Sequence, residues 1–201
     1  MKKMILLATV LLAGAVSCGT SPIWLNDGDN TTDNPRKSLE LTTKQTAMIQ
    51  EGTPFAYDFI DRVNAQTDKD FFISPLSMQF LLGMILNGAQ GLTADEICQV
   101  LGYGAGDQAA VNEFCQSMLE QLPKLDKATL LTLADAIVVD EGYELNKDYK
   151  KTVEKYYDAE VSNLPFSDRK GSADKINRWC ANHTGGLIDH ILDETDPDML
   201  C

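Results

Sequence analysis

Between Phe71 and Gly88 a short apolar run, Phe71-Phe72-Ile73, passes through Ser74-Pro75 into a stretch carrying Leu76, Met78, Phe80, Leu81, Leu82, Met84, Ile85 and Leu86. Ser74 suits an N-cap, because its hydroxyl can accept from an orphan amide of the first turn. Pro75 suits the first helical position, where no amide proton is needed. Asn87-Gly88 ends the segment. Apolar on nearly every side, this helix leaves no face for water, so other elements must bury it within a larger structure. That requirement constrains the chain more than any other feature.

The covering elements can be read from periodicity. Phe55, Ala56, Phe59, Ile60 and Val63 recur at helical spacing in a first amphipathic helix. Thr93 stands three residues before Glu96, a capping-box start for a helix ending near Leu101-Gly102. Val111, Phe114, Cys115, Met118 and Leu122 mark the next helix. Leu130 to Val139 is the clearest strand, rich in β-branched residues. Asn146 caps a helix bearing Tyr149, Val153, Tyr156 and Tyr157, and Val161 to Phe166 reads as another strand. Ser172 then caps a helix whose stripe is Ile176, Trp179, Cys180 and His183, closed by Gly185-Gly186. With 201 residues and 44% apolar content, these elements fit one α+β domain with a real core. No internal repeat is present.

The first residues follow other rules. Lys2-Lys3 is a positive n-region and Met4 to Leu12 an apolar h-region, too short for a bilayer span of about twenty residues. Residues 1–17 therefore read as a signal peptide. Ala13-Gly14-Ala15-Val16-Ser17 before Cys18 is similar to a bacterial lipobox, with Cys18 as the lipid-attachment residue, although Ala15 stands where Leu is usual. Ordinary cleavage after Ala15 is the competing reading. Lipidation is favoured, because it accounts for a lone cysteine at the cleavage zone. It implies an exported cell-envelope lipoprotein, periplasmic or surface-facing, held to a membrane by acyl chains. Residues 18–41, rich in Asn, Asp, Thr, Pro and Gly, read as a flexible tether, which leaves 42–201 as the domain.

Charge and side-chain chemistry exclude several functions. The formal net charge is −13, and loss of Lys2 and Lys3 would take it to about −15. Nucleic acid and anionic membrane surfaces would repel such a chain. Asp27-Gly28-Asp29 begins like a calcium loop, but Thr31, Thr32 and Ser38 occupy places that need an oxygen ligand, a glycine and a bidentate acid. His183 and His190 are the only histidines. Helical spacing would set them roughly 10 Å apart, too far to share a metal. No metal site and no cofactor are expected. The sequence has no G-x-S-x-G, H-E-x-x-H, phosphate-loop or dinucleotide fingerprint, so no enzyme is expected and no catalytic residue is named. Cys98, Cys115 and Cys180 fall on apolar helix stripes and read as buried small hydrophobes.

The order of motifs carries a family resemblance. Asp70-Phe71-Phe72-Ile73-Ser74-Pro75-Leu76-Ser77 resembles the serpin segment where a short strand enters the central buried helix. Asn87-Gly88-Ala89-Gln90-Gly91-Leu92-Thr93-Ala94-Asp95-Glu96-Ile97 resembles that family's next helix junction. Ile176-Asn177-Arg178-Trp179 with Thr184-Gly185-Gly186-Leu187-Ile188 resembles the helix lying across the main sheet. Asp70 in place of a usual Asn, and Gly186 in place of a common Lys, are departures that do not touch the fold.

The resemblance covers roughly residues 45 to 201. It implies the multi-helix N-terminal part of the serpin fold, with an incomplete main β-sheet, ending before the third main-sheet strand and the reactive loop. Serpins inhibit serine or cysteine proteases when that loop is cut and inserts into the sheet. The chain is thus expected to be a fragment of such an inhibitor, without inhibitory activity of its own. The target protease would be a partner of the full-length parent only, and no reactive-site residue is named here. The other reading is a non-inhibitory, membrane-tethered binding lipoprotein. By resemblance, Ser74, Ser77 and Asn177 would help the sheet part and close. From the residues alone, Ser74 is a helix cap and Asn177 an exposed helix residue. A strand at Leu130 to Val139 left with an unpaired apolar edge would make the 201-residue product poorly folded or self-associating.

Overall fold

The computed structural model describes residues 37–201. The expected signal peptide, Cys18 and residues 19–36 of the expected tether lie outside the described residues. Residues 37–41 run along the body. The Lys37 amide donates to the Leu125 carbonyl at 2.9 Å, Glu40 exchanges hydrogen bonds with the Gln121 side chain, and Leu39 and Leu41 pack against the core.

Six α-helices and two strands follow: α1 (Thr43–Gln66), α2 (Pro75–Gly88), α3 (Leu92–Val100), α4 (Gln108–Gln121), β1 (Ala136–Asp140), α5 (Lys147–Tyr157), β2 (Glu160–Leu164) and α6 (Arg169–His183). A short 3-10 turn, Leu122–Lys124, extends α4. The strands pair in parallel, Ala136 opposite Glu160 through Asp140 opposite Leu164, with α5 as the crossover between them. A parallel pair needs such a crossover, since a tight turn cannot reverse the chain twice.

Local chemistry sets several boundaries. Thr42 caps α1 in a full capping box with Gln45. Ser74 caps α2, its Oγ accepting from the Ser77 amide at 3.2 Å, with Pro75 in the first turn. Asn146 caps α5 through two amides, those of Asp148 and Tyr149. Elsewhere the expected caps are displaced. α3 starts after Gly91 with no side-chain cap, and Thr93 lies inside it. α6 starts three residues before its expected cap. Asp168 accepts from the Gly171 amide, while Ser172 is buried within the helix and donates to the Pro165 carbonyl at 2.7 Å. A carboxylate two positions after Phe166 outcompetes the later hydroxyl because it meets the first free amides.

Strand length differs from expectation for one physical reason. The strand observed is Ala136–Asp140, so only residues 136–139 of the expected Leu130–Val139 segment pair, since β2 is the one described strand beside it and begins opposite Ala136. Leu130 is 93% exposed. Phe71-Phe72-Ile73 likewise takes no regular structure, and Phe72 is exposed. Isolated strands without partners are not stable.

The core gathers around α2. Phe80, Met84 and Leu86 are buried against Met48 of α1, Cys98 of α3, Val111, Phe114, Cys115 and Met118 of α4, and Val153 and Tyr157 of α5, with Ile137 and Val139 of β1 completing it. Each buried large side chain contributes on the order of 1.5–3 kcal/mol relative to exposure. Gly83 allows the closest approach: a Cβ there would lie 2.6 Å from the Tyr157 hydroxyl. Gly102, at φ +87°, sits where a Cβ would meet the Glu51 carbonyl at 2.1 Å.

The expectation of cover on all sides holds for only part of α2. Leu81 and Ile85, one helical turn apart, are 43% and 47% exposed.

Candidate functional site

The open side of α2 faces β1 across an apolar groove of about 660 Å³. Leu81 and Ile85 form one wall, Ala136 and Val138 of β1 another, and Ile176 of α6 and Met199 the end. A second, smaller groove of about 190 Å³ lies between the sheet and α6, bounded by Val138, Ser162, Ile176 and Trp179. α6 therefore crosses the face of the pair. Groove and sheet together make a surface that can accept apolar side chains and, along β1, backbone hydrogen bonds. Asp140 already donates its amide to the Leu200 carbonyl at 3.0 Å on that strand.

Glu160, the first residue of β2, fixes α6 in place. One carboxylate oxygen accepts from the Trp179 indole at 2.9 Å, and the other lies 2.9 Å from Nε2 of His183. The two rings stack with centroids 4.3 Å apart, and His183 Nδ1 lies 2.9 Å from the Trp179 carbonyl. The i,i+4 spacing of Trp179 and His183 signalled a shared face. No signal named Glu160 as its partner.

Ser74, Ser77 and Asn177 fall in two separate places. At the start of α2, Ser77 Oγ donates to Ser74 Oγ at 2.9 Å, and both residues are exposed. Asn177 on α6 is buried rather than exposed. Its Oδ1 accepts from the amides of Ile191 (2.8 Å) and Leu192 (3.2 Å), while Nδ2 donates to the Leu192 carbonyl (2.8 Å) and faces His190 Nδ1 (3.2 Å). Asn177 thus ties the segment after α6 back beneath that helix. Among the described residues no hydrogen bond joins it to either serine. Thr195, buried, completes the return by donating to the Phe166 and Arg169 carbonyls.

A polar cluster inside the core escaped the pattern reading. Asn87, which reads in sequence as a helix stop, pairs with Asn112 through reciprocal amide bonds of 2.7 and 2.8 Å. Tyr157 donates to Asn112 Oδ1 at 2.7 Å, and Gln108 donates to Asn87 Oδ1 at 3.1 Å. Desolvation pushes the Tyr157 hydroxyl well above its ordinary range and the Cys115 thiol up to about 12. Both are neutral at physiological pH. Asp140 behaves oppositely: amides of Gly142 and Phe166, each at 2.9 Å, hold its carboxyl below the usual range. Cys98 and Cys115 are buried, Cys180 is half-buried and Cys201 exposed. Among the described residues no cluster of His, Cys, Asp and Glu could hold a metal ion.

Comparison with known proteins places this architecture. The family described as "Serpin (serine protease inhibitor)" matches residues 50–200. Serpin B6 of Bos taurus is 32% identical over 149 residues, covering 73% of this chain and 39% of that protein. Serine protease inhibitor 42Dd of Drosophila melanogaster is 30% identical over 129 residues, covering 64% of this chain and 35% of that protein. The chain thus spans less than half the length of these curated relatives. Among solved structures, the thermophilic serpin tengpin in its latent state superposes with a TM-score of 0.68 at 25% identity, over 82% of this chain and 43% of that one. Human kallistatin gives 0.73 at 21% identity, over 79% and 43%, a likeness of fold alone. A helix-wrapped α2, a parallel strand pair crossed by α6 and a matching profile over three quarters of the sequence lead to one conclusion: the chain belongs to the serpin family.

Proposed function

We propose that the protein carrying this region is a serpin-type inhibitor of serine or cysteine proteases, and that these 201 residues by themselves do not inhibit. The observation that supports it is the family match over residues 50–200, joined to the share of the relatives' length that the chain spans, about two fifths or less. The serpin mechanism inserts a cut loop as a new strand into the main sheet. In this reading the groove beside Leu81, Ile85 and Val138 is where the rest of that sheet belongs. Ser74 and Ser77, at the foot of α2, and Asn177, which holds the return segment under α6, help the sheet part and close.

The test is an incubation with a panel of serine and cysteine proteases, read on a denaturing gel. The full-length protein is expected to form an SDS-stable adduct with at least one of them, and the 201-residue chain with none. An adduct with the 201-residue chain, or none with the full-length protein across the panel, overturns the proposal.

The proposed anchor is a lipid on Cys18 of a cell-envelope protein. Radiolabelled palmitate should enter the protein and be lost on Cys18→Ser. A mature N-terminus at Val16 would establish cleavage after Ala15 instead. Self-association of the isolated 201 residues is proposed through the groove and the part of the β1 edge before Asp140, and sedimentation of a purified sample as a monomer would refute it.

A further inference from the structure

One half-buried acid has a carboxylate oxygen sealed from water without a partner. Asp135 precedes β1, and its carbonyl accepts from the Glu160 amide at 2.9 Å, making the first rung of the β1–β2 ladder. Its side chain turns inward, and Oδ2 is buried without any hydrogen bond. A buried acceptor left unmade costs about 1–3 kcal/mol, and more when it is charged.

The surrounding groups offer no remedy. The charge of Asp135 bears on Cys115 of α4 and on Tyr157 of α5, whose hydroxyl is committed to Asn112. The charged group bearing on Asp135 is Asp158, the left-handed C-cap of α5, and it is of like sign. On β2, Glu160 is also acidic and turns its carboxylate to Trp179 and His183. No cation stands among them. As a neutral acid, Asp135 forgoes one hydrogen bond but buries no charge. As a carboxylate it is dry on one oxygen and repelled by Asp158.

We propose that Asp135 is a protonation-dependent latch at the start of β1. As the neutral acid it lets the first rung close against α4 and α5, and as the carboxylate it loosens that rung and the chain leading into it. The chain leading in is suited to this, since residues 130–135 carry no regular structure and Leu130 is almost wholly exposed.

Burial, then Asp158, pushes the Asp135 carboxyl up to about 6. Between the ordinary carboxylate range near 4 and that value, the folded state holds a proton that the unfolded state releases. Stability from this group is therefore full below about pH 4 and is lost as pH rises through about 6. Two pH units correspond to about a hundredfold in the folded-to-open ratio, and partial solvent access reduces this to several-fold or more.

The device does not rest on the inhibitor reading, and its test uses no protease. In the full-length protein, amide exchange of Glu160 is followed between about pH 5 and 7 in the wild type and in Asp135→Asn, corrected for intrinsic exchange. Wild-type protection is expected to fall several-fold more than that of the variant, and the variant should be the better protected at pH 7. Parallel profiles overturn the proposal, as does a variant less protected at pH 7; either would mean that the rest of the chain supplies a donor to Oδ2. Should Asp135→Asn not fold, the carboxyl carbon of wild-type Asp135 is titrated by NMR. A midpoint near 6 supports the latch, and one near or below 4 sinks it.

Discussion

The two long sides of α2 are built on opposite terms. Phe80, Met84 and Leu86 meet four other helices, and Phe80 and Leu86 are within 1% of complete burial. Leu81 and Ile85, on the same helix and of the same chemistry, line a groove and stay roughly half exposed. Helical periodicity cannot produce that difference, since neither side is polar. What separates them is whether another element lies opposite. The closed side is packed as a protein interior; the open side, among the described residues, lines an apolar groove.

Substitutions should divide along that line. The largest effect is expected on the closed side. Phe80→Ala should cost about 3–5 kcal/mol in urea unfolding, whereas Ile85→Ala should cost less than about 1.5. Equal losses would mean that the groove is filled in solution. Next is Asn112→Ala, which takes the acceptor from the Tyr157 hydroxyl and one partner from each end of the Asn87 amide. A loss of about 2–3 kcal/mol is expected, against about 1 for Tyr157→Phe, which removes the donor and leaves Asn112 paired with Asn87. Ser74→Ala removes the α2 cap and should cost about 1 kcal/mol, with restoration by Ser74→Asp.

The smallest effects concern association and pH. Leu81→Ser with Ile85→Ser should reduce the sedimentation-detected self-association of the 201-residue chain while shifting its unfolding midpoint little. Asp140 contrasts with Asp135. Its carboxyl is held low by the Gly142 and Phe166 amides, so its contribution is present above the usual carboxylate range and is lost as pH falls below about 4. Asp140→Asn should flatten the acid limb of the unfolding profile and leave the limb above pH 5 unchanged.

Much of the closed side was legible in the sequence because its signals are local. Ser74-Pro75 and Asn146 act within their own first turns, and apolar periodicity marks the buried faces of α4 and α5. The Leu130 segment was legible as a strand but not in its length, because pairing is set by β2, a distant partner. Asn177 reads as exposed from its polarity, yet its hydrogen bonds go to residues 190–192, which return only after Gly185-Gly186 turns the chain. Glu160 gave no signal at all: a glutamate at the start of a strand reads the same whether it faces water or two aromatic rings. Serpin membership was legible from the junction motifs, whose residues are contiguous.

The grip of Glu160 on α6 has a spectroscopic consequence. The chain has two tryptophans, Trp24 and Trp179. With Trp24→Phe, emission reports solely on an indole that donates to a carboxylate and stacks on an imidazole. Any event that lifts α6 off the sheet breaks the indole–carboxylate bond to Glu160 and exposes the indole to water, while the His183 ring, on the same helix, travels with it. The protein therefore carries its own optical gauge of helix seating, readable in a stopped-flow cuvette without an attached dye.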